Sequence, residues 1–213
     1  MENPGFLQNE IFNNLIIREK KILSSNCAIL DFEADGMLFK SGSFSSFVYF
    51  IEEGCIKLKK NDRDLFFILE KGNILGLDYI FNEDPVYYSA YVSKGSRIVQ
   101  ISTNIIRNFT SSNSLFLSEV YRKNSKINKK IISSILDYRS KKLNGAFASF
   151  LLQYDEEKYP ELTRKEIGEI LGYSRENITK VVRTFIAEGI IEEDEKHLKI
   201  LNKKVLETFK KNG

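Results

Sequence analysis

The sequence predicts an α+β fold in which an N-terminal antiparallel β domain is followed by a long helix and a winged helix-turn-helix. Three observations predict this order. Short apolar runs broken by glycine extend to about Ser102, a period of 3.5 residues then continues to Tyr138, and two short capped helices meet at Gly172. We expect three regions with the bounds 1–111, 112–142 and 143–213.

The first region has the pattern of an antiparallel barrel or sandwich. Its apolar runs recur at a spacing of roughly 8–12 residues, separated by glycine and by Asp or Asn turns. The clearest runs are Phe47–Ile51, Cys55–Leu58, Leu65–Leu69 and Ile98–Ile101. Before them, the apolar spacing of Phe6–Leu23 predicts a short helical cover.

The composition excludes several classes of function. With two cysteines, Cys27 and Cys55, and one histidine, His197, the chain cannot supply four-ligand iron–sulfur or zinc sites, and no metal or cofactor is expected. No nucleophile–base pair or phosphate-binding glycine loop stands out, so no catalytic residue and no enzymatic activity are expected.

The same composition bears on location. No apolar run approaches the roughly 18 residues of a membrane span, and the first residues lack the basic and apolar segments of a secretory signal. We expect a cytoplasmic chain without a membrane partner, in which both thiols are reduced.

The net charge of +3 is unevenly distributed. Residues 1–120 carry a net charge of −3, whereas residues 121–142 place eight basic side chains against the single acid Asp137. Such a segment is typical of a solvated helix face and also of a polyanion-binding surface, so charge alone does not choose between them. Residues 163–213 are only weakly basic, at +2.

The long helix predicts a homodimer. Residues at alternating spacings of three and four form a seam for a partner helix. Asn124 on this seam favours a coiled coil of two helices. The expected interface residues are Leu117, Val120, Asn124, Ile127, Ile131 and Tyr138. A second stripe would hold the helix against its own β domain, and it consists of Leu115, Phe116, Ile132, Ile135 and Leu136. The alternative is a helix buried within one subunit.

The third region contains a helix-turn-helix. Thr163-Arg164-Lys165-Glu166 is a capping box that begins one helix, Gly172 ends it, and Ser174 caps the next. The second helix has an apolar stripe of Ile178, Val181, Val182, Phe185 and Ile186, and the following residues to Leu201 read as a β-hairpin wing. In a winged helix-turn-helix the second helix enters the major groove of DNA.

The polar side chains of this motif are candidates for DNA contacts. Arg and Lys donate to guanine, Glu accepts from cytosine, and hydroxyls and helix N-terminal amides hold phosphates. The expected DNA-binding residues are Thr163, Arg164, Ser174, Arg175, Glu176, Thr179, Lys180 and Arg183. The alternative is a solubility face on a ligand-binding or protein-interaction module that does not read DNA.

These residues resemble the CRP/FNR superfamily of bacterial transcription regulators. Residues 162–176 are similar to that family's helix-turn-helix, with Arg175, Glu176 and Lys180 at its base-reading positions. The turns similar to those of its cyclic-nucleotide-binding β-roll are Lys40-Ser41-Gly42, Glu53-Gly54, Lys71-Gly72-Asn73 and Leu75-Gly76. The resemblance implies a β-roll or jelly-roll sensor domain and a dimerisation helix.

The resemblance also implies partners. They are double-stranded DNA with a near-palindromic operator, a second copy of the chain, RNA polymerase and a small-molecule effector. Asp155–Glu157 is a candidate for the polymerase contact, with a solvated loop as the alternative.

The ligand residues depart from the family pattern. Its cyclic-AMP binders resemble Gly-Glu followed by Arg-Ser-Ala, whereas this chain has Gly76-Leu77 and Tyr88-Ser89-Ala90. A tyrosine lacks the positive charge with which the arginine neutralises the cyclic phosphate. We therefore expect either a different effector or a cavity filled by Leu77 and Tyr88. The residues expected to line or flank the pocket are Gly76, Leu77, Asp78, Tyr79, Tyr87, Tyr88 and Ser89.

Overall fold

The computed structural model describes residues 5–82, 84–153, 162–194 and 197–213. It confirms the α+β class, with two antiparallel four-stranded sheets followed by helices and a two-stranded hairpin. The chain divides into two compact units, Met1–Arg63 with Ile68–Lys129, and Asp64–Phe67 with Lys130–Gly213. The three regions expected from the sequence stay a prediction.

Two sheets make up the β domain. The strands are β1 Cys27–Asp31, β2 Gly36–Phe39, β3 Phe47–Glu53, β4 Cys55–Lys60, β5 Asp64–Glu70, β6 Ile74–Leu75, β7 Ser89–Val92 and β8 Arg97–Ser102. The first sheet has the order β1-β8-β3-β6 and the second has the order β2-β7-β4-β5. The predicted apolar runs are confirmed as β3, β4, β5 and β8. Because neighbours in the sheets are rarely consecutive in sequence, the topology is of the jelly-roll type.

A helical layer covers the first sheet. It includes α1 (Ile17–Ser25), α2 (Thr103–Ser112) and the first turns of α3 (Ser114–Arg139). Val48 and Phe50 of β3 lie in one buried cluster with Phe12 and with Phe116 of α3. The rings of Phe12 and Phe116 stack with their centroids 6.5 Å apart. Aromatic burial of this kind stabilises the layer against the sheet.

The N-terminal cover differs from the helix expected over Phe6–Leu23. It consists of two 3-10 turns and then α1, with the bounds Gly5–Gln8, Glu10–Phe12 and Ile17–Ser25. The side chain of Asn9 accepts from the N–H of Ile11 at 3.3 Å and so begins a new turn there. Ile16 and Ile17, which precede and begin α1, are 61% and 87% exposed.

A break at Asn113 divides the helical region that was expected beyond Ser111. The helix α2 already begins at Thr103, directly after β8. The side-chain Nδ2 of Asn113 donates to the carbonyl oxygen of Asn14 at 2.9 Å, while its Oδ1 accepts from the N–H of Phe116 at 3.0 Å. One amide side chain therefore caps α3 and ties it to the N-terminal segment.

The burial of α3 corrects the predicted dimer seam. Val120, Ile127 and Tyr138 were expected to face a partner, but they are only 4%, 8% and 2% exposed within the single chain. Val120 shares a helix face and a buried cluster with Phe116 in the β domain, whereas Tyr138 packs against Phe150 of the helix that follows α3, with ring centroids 6.4 Å apart. Leu117 stays accessible at 40% exposure, and Asn124 and Ile131 are half-buried.

The second predicted stripe was expected to be buried against the β domain, but three of its residues are exposed. Of the residues expected to hold α3 against the β domain, Phe116 is fully buried. Leu115, Ile132 and Leu136 are 65%, 58% and 64% exposed. An apolar surface of α3 is thus left uncovered by the part of the chain that the structure describes.

The last part of the chain forms a small helical unit with a hairpin. Its elements are α4 Leu143–Gln153, α5 Arg164–Leu171, α6 Arg175–Ala187, β9 Ile191–Asp194, β10 His197–Ile200 and α7 Lys203–Asn212. Phe185 of α6 lies 5.5 Å from Phe147 of α4 and 5.1 Å from Phe209 of α7, ring centroid to centroid. The antiparallel pairing of β9 with β10 confirms the wing. The sequence did not predict α4 or α7.

Candidate DNA-binding surface and effector region

A local capping box begins the first helix of the motif. Thr163 Oγ1 accepts from the N–H of Glu166 at 3.2 Å, and Glu166 Oε2 accepts from the N–H of Thr163 at 2.9 Å. This confirms the prediction from the sequence. Two N–H groups that the helix leaves unpaired are satisfied reciprocally, which places the start of α5 at Arg164.

The turn between α5 and α6 depends on close backbone packing. Gly172 ends α5 with a φ of +78°, and its N–H and that of Tyr173 both donate to the carbonyl of Gly168. A Cβ at Gly168 would lie 2.5 Å from the carbonyl oxygen of Tyr173, so only glycine fits there. The Tyr173 hydroxyl donates to the carbonyl of Lys141 at 3.1 Å and anchors the turn. Sequence reasoning missed Gly168 and Tyr173, although a glycine four residues before the Gly172 turn was a usable signal.

The helix α6 is capped as predicted and buries one face. Ser174 Oγ accepts from the N–H of Asn177 at 3.3 Å. The buried residues of α6 are Ile178, Val181, Val182 and Phe185. Ile186 was expected among them but is 37% exposed because it lies at the edge of this face.

The opposite face of α6 carries most of the residues expected to bind DNA. The exposed residues of this set are Arg175, Glu176, Lys180 and Arg183, and Thr179 is half-buried. Their spacing of three, four or seven residues places them side by side on one helix surface. The hydroxyl of Thr179 donates to the carbonyl of Arg175 at 2.9 Å, so its oxygen is left as an acceptor. Thr163 and Ser174 are exposed at the starts of α5 and α6.

Glu176 is held as an anion at the start of α6. A hydrogen bond from its own backbone N–H lowers the pKa of the carboxyl most, followed by one from the Ser174 hydroxyl and by the charges of Arg175 and Lys180. The group is therefore ionised near neutral pH, as acceptance from the cytosine amino group requires.

Arg164 is engaged by the wing. Its guanidinium Nη2 lies 2.5 Å from Oε1 of Glu193 in β9, and the Arg164 side chain is only 18% exposed. Sequence reasoning did not identify Glu193. The contact ties the start of α5 to the hairpin and leaves Arg164 less free than expected for a phosphate ligand.

The residues expected to form the effector pocket differ in their exposure. Leu77 lies in the buried core of the β domain, and Ser89 is fully buried. In contrast, Tyr87 is 71% exposed and Asp78 is exposed as well. Gly76 separates the two environments, because its left-handed φ of +94° begins a short 3-10 turn at Leu77. The shared pocket stays a prediction.

Tyr88 belongs to an aromatic cluster that sequence reasoning did not foresee. Its ring centroid lies 5.8 Å from that of Phe39 and 6.5 Å from that of Tyr79, and Tyr49 is 6.0 Å from Phe39. Burial, followed by the charge of Asp78, raises the pKa of Tyr88 well above its ordinary value. Tyr88 is therefore a neutral phenol that supplies no charge to a phosphate.

Asp78 beside this cluster also has a shifted titration. Although the residue as a whole is exposed, desolvation of its carboxyl raises the pKa, and its backbone N–H opposes the shift. The direction of the shift makes this acid weaker than an ordinary surface aspartate.

A groove near the expected pocket has the size of a small-molecule site. Its volume is about 430 Å³, within the usual range for ligand pockets. It is bordered by the loop at Phe44 and by Asn104 and Arg107 of α2, and of the expected residues Tyr79 borders it. Arg107 Nε donates to the carbonyl of Ile80 at 2.8 Å, so this guanidinium is partly committed to the backbone.

Cys55 is a packed thiol. It is 2% exposed, its Sγ lies 3.2 Å from Oγ of Ser93, and burial raises the pKa of the thiol. A thiol with these properties behaves as a small hydrophobe.

The described parts of the chain hold neither a metal-binding cluster nor a membrane-spanning helix. Residues 5–82, 84–153, 162–194 and 197–213 contain no group of three or more His, Cys, Asp or Glu side chains that could hold a metal ion. Within the same ranges, no helix is long and apolar enough to cross a membrane. Asp155–Glu157, the candidate polymerase contact, lies outside the described residues.

A jelly-roll domain joined through a long helix to a winged helix-turn-helix defines a class of DNA-binding transcription regulators. Two family models match the chain accordingly. Residues 29–113 match the cyclic nucleotide-binding domain, and residues 146–209 match the Crp-like helix-turn-helix domain. The chain belongs to the CRP/FNR superfamily, and the resemblance found in the sequence is confirmed.

Individual proteins agree with this assignment. The anaerobic regulatory protein of Bacillus subtilis (strain 168) is 26% identical over 182 residues, which are 78% of this chain and 76% of that protein. The structure of a putative transcriptional regulator of the crp/fnr family from Eubacterium rectale matches with a TM-score of 0.75 at 19% identity, covering 95% of this chain and 98% of that one. FixK2 from Bradyrhizobium japonicum has the same TM-score at 13% identity, over 86% of this chain and 96% of its own. The two structural matches establish the shared fold.

Proposed function

We propose that the chain is a homodimeric regulator that inserts α6 of each subunit into the major groove of a near-palindromic operator. It acts by binding and has no catalytic step. The observation that carries the proposal is the exposed charged face of α6, with Arg175, Glu176, Lys180 and Arg183 opposite the buried stripe. Twofold symmetry then requires half-sites about 34 Å apart.

The residues of the motif divide into two roles. Arg175, Glu176 and Lys180 contact base edges, because they lie near the N-terminal end of the helix that enters the groove. Thr163, Arg164 and Ser174 contact phosphates through hydroxyls, charge and helix N-terminal amides. Thr179 and Arg183 complete the surface on the same face of α6.

The dimer forms through the outer stripe of α3, which we define as Leu117, Tyr121, Ile132 and Leu136. Their exposures in the single chain are 40%, 75%, 58% and 64%. Spacings of 4, 11 and 4 residues keep them within about 100° of the helix circumference. Such an apolar stripe on a long helix is typical of a surface that a partner helix covers. Asn124 and Ile131 flank it.

The effector is not a cyclic nucleotide. Leu77 is part of the core and Tyr88 is a neutral phenol within an aromatic cluster, so the two positions supply neither a ribose ligand nor a positive charge. A small molecule of another kind, bound in the β domain, shifts the dimer toward its DNA-binding state. The DNA-bound dimer then contacts RNA polymerase.

Selection from random duplex DNA tests sequence reading. We expect enrichment of an inverted repeat. Glu176→Ala should relax the preference at one base pair by about 1–3 kcal/mol, because it removes one base contact. Arg164→Ala should weaken binding to all sequences alike, because it removes a phosphate contact. Glu188→Ala, at the other end of α6, is the matched control and should change neither property.

The alternative function, a helix-turn-helix that binds protein, predicts a different outcome of the selection. If no inverted repeat is enriched, with or without cell extract, the helix-turn-helix serves protein contacts instead.

Sedimentation tests the dimer separately. Ile132→Glu places a charge in the outer stripe and should convert the dimer to monomers at micromolar concentration, because an unpaired charge would be buried at the interface. Ser133→Glu adds the same charge to the neighbouring exposed residue, off the stripe, and should leave the dimer intact. A wild-type chain that sediments as a monomer would contradict the proposal.

A further inference from the structure

A carboxylate is held by two donors at one end of the second sheet. Asp62 lies between β4 and β5, and its Oδ1 accepts from the hydroxyl of Ser89. Its Oδ2 lies 3.2 Å from Nζ of Lys40, which follows β2. The hydrogen bond from Ser89 lowers the pKa of this carboxylate most, and Lys40 and the phenol of Tyr91 in β7 lower it further. The donors therefore come from parts of the chain remote from the turn that carries Asp62.

The hydroxyl of Ser89 is oriented by the backbone. The N–H of Ser41 donates to Ser89 Oγ at 2.9 Å and so uses this oxygen as an acceptor. The hydroxyl hydrogen is left for Asp62. Because Ser89 is fully buried, its hydroxyl depends on an internal acceptor.

The turn presents the carboxylate in a defined conformation. Asn61 and Asp62 have φ values of +50° and +61°, and the N–H of Arg63 donates to the carbonyl of Lys60 at 3.1 Å. These are the features of a type I′ hairpin turn, in which Asn and Asp are favoured. The turn holds the Asp62 side chain against donors that belong to other strands.

The donor set defines the chemical class of its acceptor. An ammonium, a hydroxyl and a phenol offer hydrogen atoms from several directions and one positive charge. Such a set is suited to a monoanion with two adjacent oxygens, a carboxylate or a phosphate ester.

We propose that Lys40, Ser89 and Tyr91 form an anion subsite of the β domain and that Asp62 is its resident occupant. A free carboxylate or phosphate group enters this subsite only when Asp62 leaves it. The wild-type chain therefore excludes small anions from a place that is built to hold one. This inference concerns the β domain alone and does not depend on DNA reading.

Chemical rescue tests the subsite. Asp62→Gly removes the carboxylate and keeps the left-handed turn accessible. Thermal unfolding of the full chain is measured with sodium acetate, sodium phosphate, neutral acetamide, or sodium chloride at equal ionic strength. Acetate at about five times its Kd should raise the Tm of this variant by about 2–4 °C. Acetamide, of the same shape but without charge, should not.

Three controls make the result specific. The wild type should not respond to acetate beyond the effect of sodium chloride. Asp64→Gly, which removes the same charge beyond the cluster, should behave as the wild type. Adding Lys40→Met to Asp62→Gly should abolish the response, since the ammonium is lost. A larger response to phosphate than to acetate would assign the subsite to phosphate esters, and the reverse order would assign it to carboxylates.

Two results would overturn the proposal. One is an equal effect of acetate and acetamide on Asp62→Gly, and the other is an equal effect of acetate on Asp62→Gly and the wild type. Should Asp62→Gly fail to fold, Asp62→Asn keeps both the turn and the acceptor oxygen. Lys40→Met should then lower the Tm of the wild type but not of Asp62→Asn, and equal changes in both backgrounds would refute the charge-specific site.

Discussion

At the scale of single residues, Arg164, which we propose as a phosphate contact, is already paired within the chain. Its guanidinium is paired with Glu193 of the wing at 2.5 Å, and the side chain is largely covered. A phosphate that approaches Arg164 must therefore compete with a carboxylate that repels it. We expect the pairing to weaken the proposed phosphate contact, while it ties the hairpin to α5.

Glu193→Gln should strengthen DNA binding. The substitution frees Arg164 and removes one negative charge near the phosphates, so we expect affinity to rise by about 2–10-fold for all sequences alike. Fluorescence anisotropy with operator and unrelated duplexes measures the change.

The matched control for this prediction is Glu192→Gln. Glu192 pairs at 2.9 Å with Lys199, which belongs to the same hairpin. A loss of affinity in Glu193→Gln would contradict the prediction and would mean that Glu193 positions Arg164 for the phosphate.

At the scale of elements, the junction of α3 with α4 is held by one amide side chain. Tyr138 donates to Oε1 of Gln153 at 2.6 Å, and Nε2 of Gln153 donates to Oγ of Ser134 at 2.6 Å. Tyr138 also packs against Phe150, with ring centroids 6.4 Å apart. Both ends of the Gln153 amide are thus satisfied by α3, which joins the two helices through a buried polar network.

Tyr138→Phe should lower the free energy of unfolding by about 0.5–1.5 kcal/mol, because Gln153 loses a donor while the ring packing is kept. Urea unfolding monitored by circular dichroism measures the change. Tyr87→Phe makes the same chemical change at a 71% exposed position outside α3 and should have an effect below about 0.5 kcal/mol. Equal effects of the two substitutions would contradict a role for the network.

Elements determined by local chemistry were predictable from the sequence. The capping box at Thr163–Glu166, the end of α5 at Gly172 and the cap at Ser174 each depend on residues within a few positions of one another. The wing was predictable for the same reason. The DNA contacts drawn from these elements stay predictions.

Elements determined by distant neighbours were not predictable. The spacing of α3 permits two apolar faces, and the β domain selects the one that contains Phe116 and Val120. The break at Asn113 depends on a contact with Asn14. The hydroxyl of Ser89 donates to Asp62, which lies in a turn 27 residues earlier. A periodic pattern carries no information about such partners.

At the scale of the whole molecule, the structure divides the basic charge into local pairs. The guanidinium of Arg122 is hydrogen-bonded to the carboxylate of Glu119 on the same helix, and Nζ of Lys141 lies 2.5 Å from Oδ1 of Asp137. Burial lowers the pKa of Lys123. The segment 121–142 therefore carries several intramolecular contacts, and these favour the interpretation as a helix face over that of a polyanion-binding surface.

Asp137 links this segment to the stability of the C-terminal unit in acid. Desolvation raises the pKa of its carboxyl, but the hydrogen bond and charge of Lys141 and the charge of Lys210 outweigh it, so the pKa lies below the ordinary value of 3.8. A lowered pKa in the folded state stabilises the protein at pH values above 3.8, and this stabilisation is lost as the pH falls through the folded-state pKa.

Asp137→Asn should therefore be less stable than the wild type by about 0.5–1 kcal/mol near neutral pH, after allowance for solvent screening. The difference should disappear as the pH falls from neutral to below the folded-state pKa, where the wild-type carboxyl is protonated and carries no charge. Urea unfolding of both proteins across this range measures it. A difference that does not depend on pH would contradict the ion-pair explanation.

Asn113 also has a consequence for the order of folding. The contact between its side chain and the carbonyl of Asn14 joins positions 99 residues apart. Closing so long a loop costs chain entropy before the contact stabilises anything. The contact with Asn14 therefore has to wait for the N-terminal segment, whereas the cap from Asn113 Oδ1 to Phe116 joins residues three apart and needs no such closure. We expect the Asn14 contact to form after the folding transition state, where a contact slows unfolding more than it speeds folding and so lengthens the lifetime of the native state.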